Sequence, residues 1–207
     1  MKKILLACFL AVISLGVFAQ EAPDALVKRV TDEVLEIIRK DKDIQNGSTQ
    51  KVVDLVETKV LPHFNFMRMT ALAVGREWRK ATPQQQKALA GEFRDLLVRT
   101  YANALSSYKD QQVNYRPFKL EAGATDVTVR TEIKKPGSQP IKLDYSLEKL
   151  ADGWKVYDVV VADVSLVSNY RGEFAEEIGR TGIDGLLQKM AARNRELEAR
   201  HLKAERK

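Results

Sequence analysis

Gly153-Trp154-Lys155-Val156-Tyr157-Asp158-Val159-Val160-Val161-Ala162-Asp163-Val164-Ser165-Leu166-Val167-Ser168-Asn169-Tyr170-Arg171-Gly172-Glu173-Phe174 is the stretch that decides the fold of this chain. It opens as a strand, with Trp154 and Val156 on one face and Lys155 and Tyr157 on the other. Val159-Val160-Val161 then reads as a strand buried on both sides. Asp163 and Ser165 interrupt the run. Either offers a side-chain oxygen to cap a helix whose apolar face carries Leu166, Val167, Tyr170 and Phe174. A buried strand feeding an apolar-faced helix predicts the wall and rim of one interior space, either filled by side chains or open to a ligand.

Immediately upstream the sequence has period two. Val113, Tyr115 and Phe118 mark a first strand. Val127, Val129, Thr131 and Ile133 alternate with polar residues in a second, and Ile141, Leu143, Tyr145 and Leu147 in a third. Lys135-Pro136-Gly137-Ser138 and Ala151-Asp152-Gly153 are the turns. Four consecutive strands predict an antiparallel meander with one apolar face.

Helical spacing precedes the sheet. Leu26, Val27, Val30, Val34, Ile37 and Ile38 form a stripe behind Asp24 as a cap, and Val52, Val53, Leu55, Val56 and Val60 form another, stopped by Pro62. Phe64-Asn65-Phe66-Met67-Arg68-Met69 opens a short apolar helix closing at Gly75. Thr82-Pro83-Gln84-Gln85 is a capping box with proline at the first helical position. It starts a long helix striped by Leu89, Phe93, Leu96, Leu97, Tyr101, Ala104, Leu105 and Tyr108. After Phe174, Gly179 and Gly182 predict a break before a last helix with Ile183, Leu186, Leu187 and Met190. Helices on both sides of a strand block make the class α+β.

Residues 1–19 read as a secretory signal: Lys2-Lys3, an apolar run, and Val17-Phe18-Ala19 before the expected cut. The rival lipobox reading at Leu5-Leu6-Ala7-Cys8 leaves almost no apolar core ahead of the cysteine. Removal of residues 1–19 takes away the one cysteine, so disulfide and thiol chemistry are excluded and the bacterial periplasm is the expected compartment. The net charge of +6 falls to +4 with Lys2 and Lys3 gone, and +3 of that lies in the tail 193–207. A near-neutral body without a nucleic-acid motif gives no footprint for DNA or RNA. The organisation expected is a signal at 1–19, one domain over 20–192 and a solvated charged tail at 193–207.

Catalytic patterns are sparse. His63 and His201 lack metal-ligand spacing, and no nucleophile elbow or phosphate loop occurs, so neither metal nor cofactor is expected. Asp158 alone gives pause. On regular strand alternation it shares the face of Trp154 and Val156, where a carboxylate needs a partner. It reads either as a hydrogen-bonding anchor or, with Tyr145 or Tyr101 nearby, as an acid or base in an apolar pocket.

Trp78, Thr82, Gln85, Phe93, Leu97 and Tyr101 resemble the middle block of the MlaC family. Gly153-Trp154-Lys155-Val156-Tyr157-Asp158-Val159, Val164-Ser165-Leu166-Val167 and Asn169-Tyr170-Arg171…Phe174 are similar to its C-terminal block. The resemblance covers residues 23 to 190. It implies a twisted antiparallel sheet surrounded by helices, enclosing an apolar pocket for the acyl chains of a phospholipid. It also implies a soluble periplasmic carrier, a monomer. Its partners would be an outer-membrane lipoprotein–porin complex and an inner-membrane ABC transporter with a lipid-binding periplasmic ring, in the maintenance of outer-membrane lipid asymmetry. Under this resemblance the lining falls to Phe66, Met69, Leu72, Trp78, Phe93, Leu97, Tyr101, Leu105, Val129, Ile133, Leu143, Tyr145, Val156, Val160, Leu166, Val167, Tyr170 and Phe174. Lys155 and Arg171 stand as head-group contacts.

Two positions depart from the family pattern. Asn65 stands where members commonly carry Asp, which keeps the cap and loses the charge. Asp163 stands where they commonly carry Gly, and Asp tolerates a positive φ better than most residues. Against the carrier stand an enzyme using Asp158 and a non-catalytic interaction scaffold with a filled core.

Overall fold

The protein is described here by a computed structural model covering residues 20–106, 111–135 and 137–205. The signal expected at 1–19, its Cys8 lipobox, Tyr108 and the side chain of Leu105 lie outside the described residues.

Helix α1 (Pro23–Lys40) starts with proline in its first turn, where no amide hydrogen is needed, and ends on Arg39 and Lys40, suited to the negative end of the helix dipole. Asp24 lies inside the first turn. Ala22 holds the cap position without a side-chain bond, so the expected Asp24 cap is shifted by proline's preference for the first helical position. Asp41 caps the single turn α2 (Lys42–Gln45), and Ser48 caps α3 (Thr49–Lys59). A 3-10 turn, Leu61–His63, leads to α4 (Phe66–Val74), which Gly75 ends at a φ of 69°. A 3-10 segment, Gly75–Lys80, follows. The capping box of α5 (Pro83–Ser106) forms in full: the Gln85 amide accepts from Thr82 N at 2.9 Å, and Gln85 N donates to Thr82 Oγ1 at 3.2 Å.

The sheet has five strands, not four, in the order β1 (Gln112–Tyr115), β2 (Asp126–Lys134), β3 (Ile141–Leu150), β4 (Gly153–Val161), β5 (Val164–Ser165), all antiparallel. The extra strand exists because Ala162 and Asp163 both take positive φ, 49° and 67°, so β4 turns back on itself through a two-residue hairpin. The cap of the last helix is therefore Ser165, not Asp163, with Ser168 N donating to Ser165 Oγ at 3.0 Å.

Regular alternation fails inside β4. Val156 pairs with Leu147 but Asp158 with Ser146, leaving Tyr157 as a β-bulge. One extra residue reverses the phase. Trp154, Val156, Val159 and Val161 share one face, with Val129 and Leu147, and Asp158 and Val160 fall on the other. The expectation that Asp158 shares the face of Trp154 is thereby corrected.

The last helix, α6 (Leu166–Glu205), runs through Gly179 without a break and kinks at Gly182. Lys189 Nζ lies 3.1 Å from Glu173, sixteen positions away. A straight helix would separate them by about 24 Å, so the second arm folds back along the first. It continues past residue 193: Asn194 is buried and donates to Glu92 O at 2.9 Å, and Leu197 packs on the core.

Three apolar clusters result. One joins α4, α5 and both arms of α6, a second joins α1, α2 and α3 to Ala102 of α5, and a third joins α1 to one face of the sheet.

Candidate functional site

The stripe on α1 is wider than a single partner needs. Val34, Leu35 and Ile38 bury against α3, while Leu26 and Val27 bury against the sheet. Between these contacts the helix stands off the strands and leaves a cavity of about 180 Å³. Its walls are Leu26, Val27, Val30, Thr31, Val34 and Leu35 of α1, Val60, His63 and Phe64 of the α3–α4 connection, and Val113, Ile133, Leu143, Tyr145 and Val156 of strands β1 to β4. Phe64 belongs to two clusters, because its backbone bridges to Val156 while its ring stacks on Phe66 at 5.7 Å.

Only three lining side chains are polar, and each is uncharged at neutral pH. Desolvation first, and then the charges of Arg29 and Lys155, hold the His63 imidazole below its ordinary value. Desolvation pushes the Tyr145 phenol up to about 12, where it interacts with Thr31 and Thr131. The third is Thr31 itself. A cavity of this kind attracts hydrocarbon and offers an ion no partner.

At one edge polar contacts tie α1 to β1 and to Gln111 just before it, beside the apolar packing of Val113 and Tyr115. Tyr115 Oη donates to Asp32 Oδ1 at 2.9 Å, Lys28 sits 4.9 Å over the Tyr115 ring, and Arg39 donates to Gln111 O at 3.3 Å. Exposed bonds of this sort contribute about 1 kcal/mol each, so these bonds part more cheaply than the apolar walls.

Of the residues named from the sequence, Ile133, Leu143, Tyr145 and Val156 lie on the walls of this cavity. Val129 and Leu166 belong to the cluster on the same sheet face, and Val160 points away because of the bulge. Phe66, Met69, Leu72, Trp78, Phe93, Leu97, Val167, Tyr170 and Phe174 meet instead in the helical cluster. There Phe93 contacts Tyr170 and Phe174 edge-on at 5.1 and 5.2 Å. Tyr101 is exposed. Lys155 donates to Pro62 O at 2.9 Å and pairs with Asp152 at 3.1 Å, and Arg171 donates to Leu72 O at 3.1 Å. Neither lines the cavity. The α1 residues were visible as a stripe, but nothing local paired that stripe with the sheet.

Asp158, on the opposite face, is fully engaged. Its Oδ1 accepts from Val159 N at 2.9 Å and Val167 N at 3.2 Å, and its Oδ2 from Ser165 Oγ at 2.6 Å. The arrangement caps α6 together with Ser165. Among the described residues no group of three or more His, Cys, Asp or Glu is placed to hold a metal, and no helix is long and apolar enough to cross a membrane.

The family model described as MlaC protein matches residues 28–192, which spans all the cavity walls beyond Val27. The chain belongs to the MlaC family. It is 25% identical over 180 residues to the toluene tolerance protein ttg2D of Pseudomonas putida, covering 86% of this chain and 83% of that one. It is 24% identical over 175 residues to the intermembrane phospholipid transport system binding protein MlaC of Haemophilus influenzae, covering 83% and 82%. Among solved structures it is similar to the phospholipid-binding protein of Ralstonia solanacearum, which was determined in complex with a phospholipid. The TM-score is 0.80 and the identity 42%, over 86% of this chain and 99% of that one.

Proposed function

We propose that this chain is a periplasmic phospholipid carrier that takes acyl chains into the cavity between α1 and the sheet and shuttles lipid between the outer and inner membranes. The observation that carries the reading is the cavity wall itself, fourteen residues of which eleven are apolar and none charged at neutral pH. Membership in the MlaC family, with a relative named as a phospholipid transport system binding protein, supports it, as does the likeness to a phospholipid-bound structure.

The energetics set the mechanism. Each acyl CH₂ removed from water gains about 0.8 kcal/mol, so a diacyl lipid does not cross an aqueous space unaided. Between a bilayer and an apolar cavity that gain cancels. Net transfer is then driven by docking partners, an outer-membrane lipoprotein–porin complex and an inner-membrane ABC transporter, with ATP hydrolysis in the latter. At about 180 Å³ the cavity is smaller than the roughly 300–1,000 Å³ of ordinary ligand pockets. Cargo therefore requires the gap to widen, and the polar fastening of α1 to β1 is where it gives.

The test is solvent extraction and mass spectrometry of protein purified from the periplasm. The expected result is near-stoichiometric phospholipid, falling by more than half in Val30→Trp, which fills the cavity from α1, in protein that still melts cooperatively. Lipid-free wild-type protein would sink the carrier reading and leave the interaction scaffold.

A further inference from the structure

A second concavity, a groove of about 880 Å³, runs between α4, the 3-10 segment Gly75–Lys80 and the first arm of α6. It shares no lining residue with the apolar cavity. Leu72, Trp78 and Ile178 give it an apolar floor, and arginines crowd it. Arg68 is accounted for, bound to Glu148 at 2.8 Å and Asp126 at 2.9 Å. Glu77, the one lining carboxylate, is held by Lys80 at 2.9 Å. Arg76, Arg79 and Arg171 are exposed, and none of them has an acidic partner among the described residues. Three like charges in one groove repel one another unless an anion joins them.

We propose that this groove is the docking site for an acidic segment of a partner protein. The guanidinium fork matches carboxylates in paired hydrogen bonds, and the apolar floor accepts a hydrophobic side chain set between them. A lipid surface fits less well, because a plane resting on the arginine tips does not reach Leu72 or Ile178 at the bottom. The site concerns a partner and not the cargo, so it stands or falls separately from the carrier reading.

The test uses the purified mature chain and a fluorescein-labelled peptide, Glu-Leu-Glu-Glu-Phe-Glu, with its all-glutamine counterpart as control, read by anisotropy. The acidic peptide is expected to bind about tenfold or more tighter than the control. A similar factor should be lost in the double variant Arg76→Glu, Arg79→Glu. Both side chains are exposed, so the melting curve and the co-purified lipid should not change. Trp78 reports occupancy, since Trp154 is only 4% exposed. Equal binding of the two peptides, or an affinity untouched by charge reversal, overturns the proposal. So does sedimentation with dioleoylphosphatidylglycerol vesicles that the double variant abolishes and the acidic peptide does not compete away, which assigns the arginines to a membrane.

Discussion

Ser165 Oγ donates to Asp158 Oδ2 at 2.6 Å, across the hairpin that joins β4 to the last helix. The same carboxylate takes the second amide of α6, from Val167, while Ser165 takes the third, from Ser168. Two side chains thus divide the helix N-terminus between them.

Replacing Asp158 with Ala leaves the Val167 amide without its acceptor. The expected loss is about 1–3 kcal/mol, measured by urea unfolding. Co-purified lipid should be unchanged, because Asp158 lies on the face away from the cavity. Lipid transfer lost with stability intact would instead favour a chemical role for this carboxylate.

Asn65 caps α4 by accepting from Arg68 N at 3.0 Å, and its amide nitrogen donates to Glu148 at 2.7 Å. Asn65→Asp keeps the cap and sets two carboxylates against each other. One of the pair then has a folded-state pKa above its unfolded value, so the folded state holds the extra proton and stability falls as pH rises. The variant should be weaker than wild type by about 1–2 kcal/mol at pH 7 and recover towards pH 4. A pH-independent difference would mean that Arg68 absorbs the added charge.

Ala162 and Asp163 hold left-handed φ values that suit Asn and Gly in a two-residue hairpin. The double variant Ala162→Asn, Asp163→Gly should gain about 1–2 kcal/mol. It gives up only the exposed Lys142–Asp163 pair at 3.3 Å, worth less than about 1 kcal/mol. A lowered melting temperature would contradict the strain assigned to this turn.

Glu177 is buried at the bend of α6, and its pKa is lowered to about 2 by the Thr181 hydroxyl first, then Lys189 and Arg180. A depressed carboxylate stabilises above its ordinary value of 4.5 and loses that contribution as pH falls towards 2. Urea midpoints at pH 7, 4 and 3 should drop more steeply in wild type than in Glu177→Gln. Parallel profiles would show that the fold-back of the second arm does not depend on this charge.

Features written into neighbouring residues were legible in the sequence. The Thr82–Gln85 box and the period-two strands depend on contacts within a few positions, and they formed, except that the first strand ends at Tyr115 and leaves Phe118 outside it. Strand β5 was not legible, because Ala162 carries no turn signal. Nor was the bulge at Tyr157, which arises only when β4 is laid against β3. The cavity was the hardest to read. Phe93, Tyr170 and Phe174 are large and apolar whether they fill a core or line an opening, and here they pack on one another in the helical cluster, away from the cavity under α1. Val30 and Val34 look like any buried helix stripe, and only the gap between α1 and the strands makes them walls.

That gap also orders the folding of the chain. Leu26 and Val27 share their cluster with Leu147, Trp154 and Val156, 120 to 130 positions further along the chain. Contacts of such long separation form slowly, after the β2–β3–β4 hairpins that need only short turns. The cavity is therefore closed late, when α1 settles on a completed sheet. Until then its apolar stripe is exposed, and newly made chains are most open to aggregation and to chaperones at that stage.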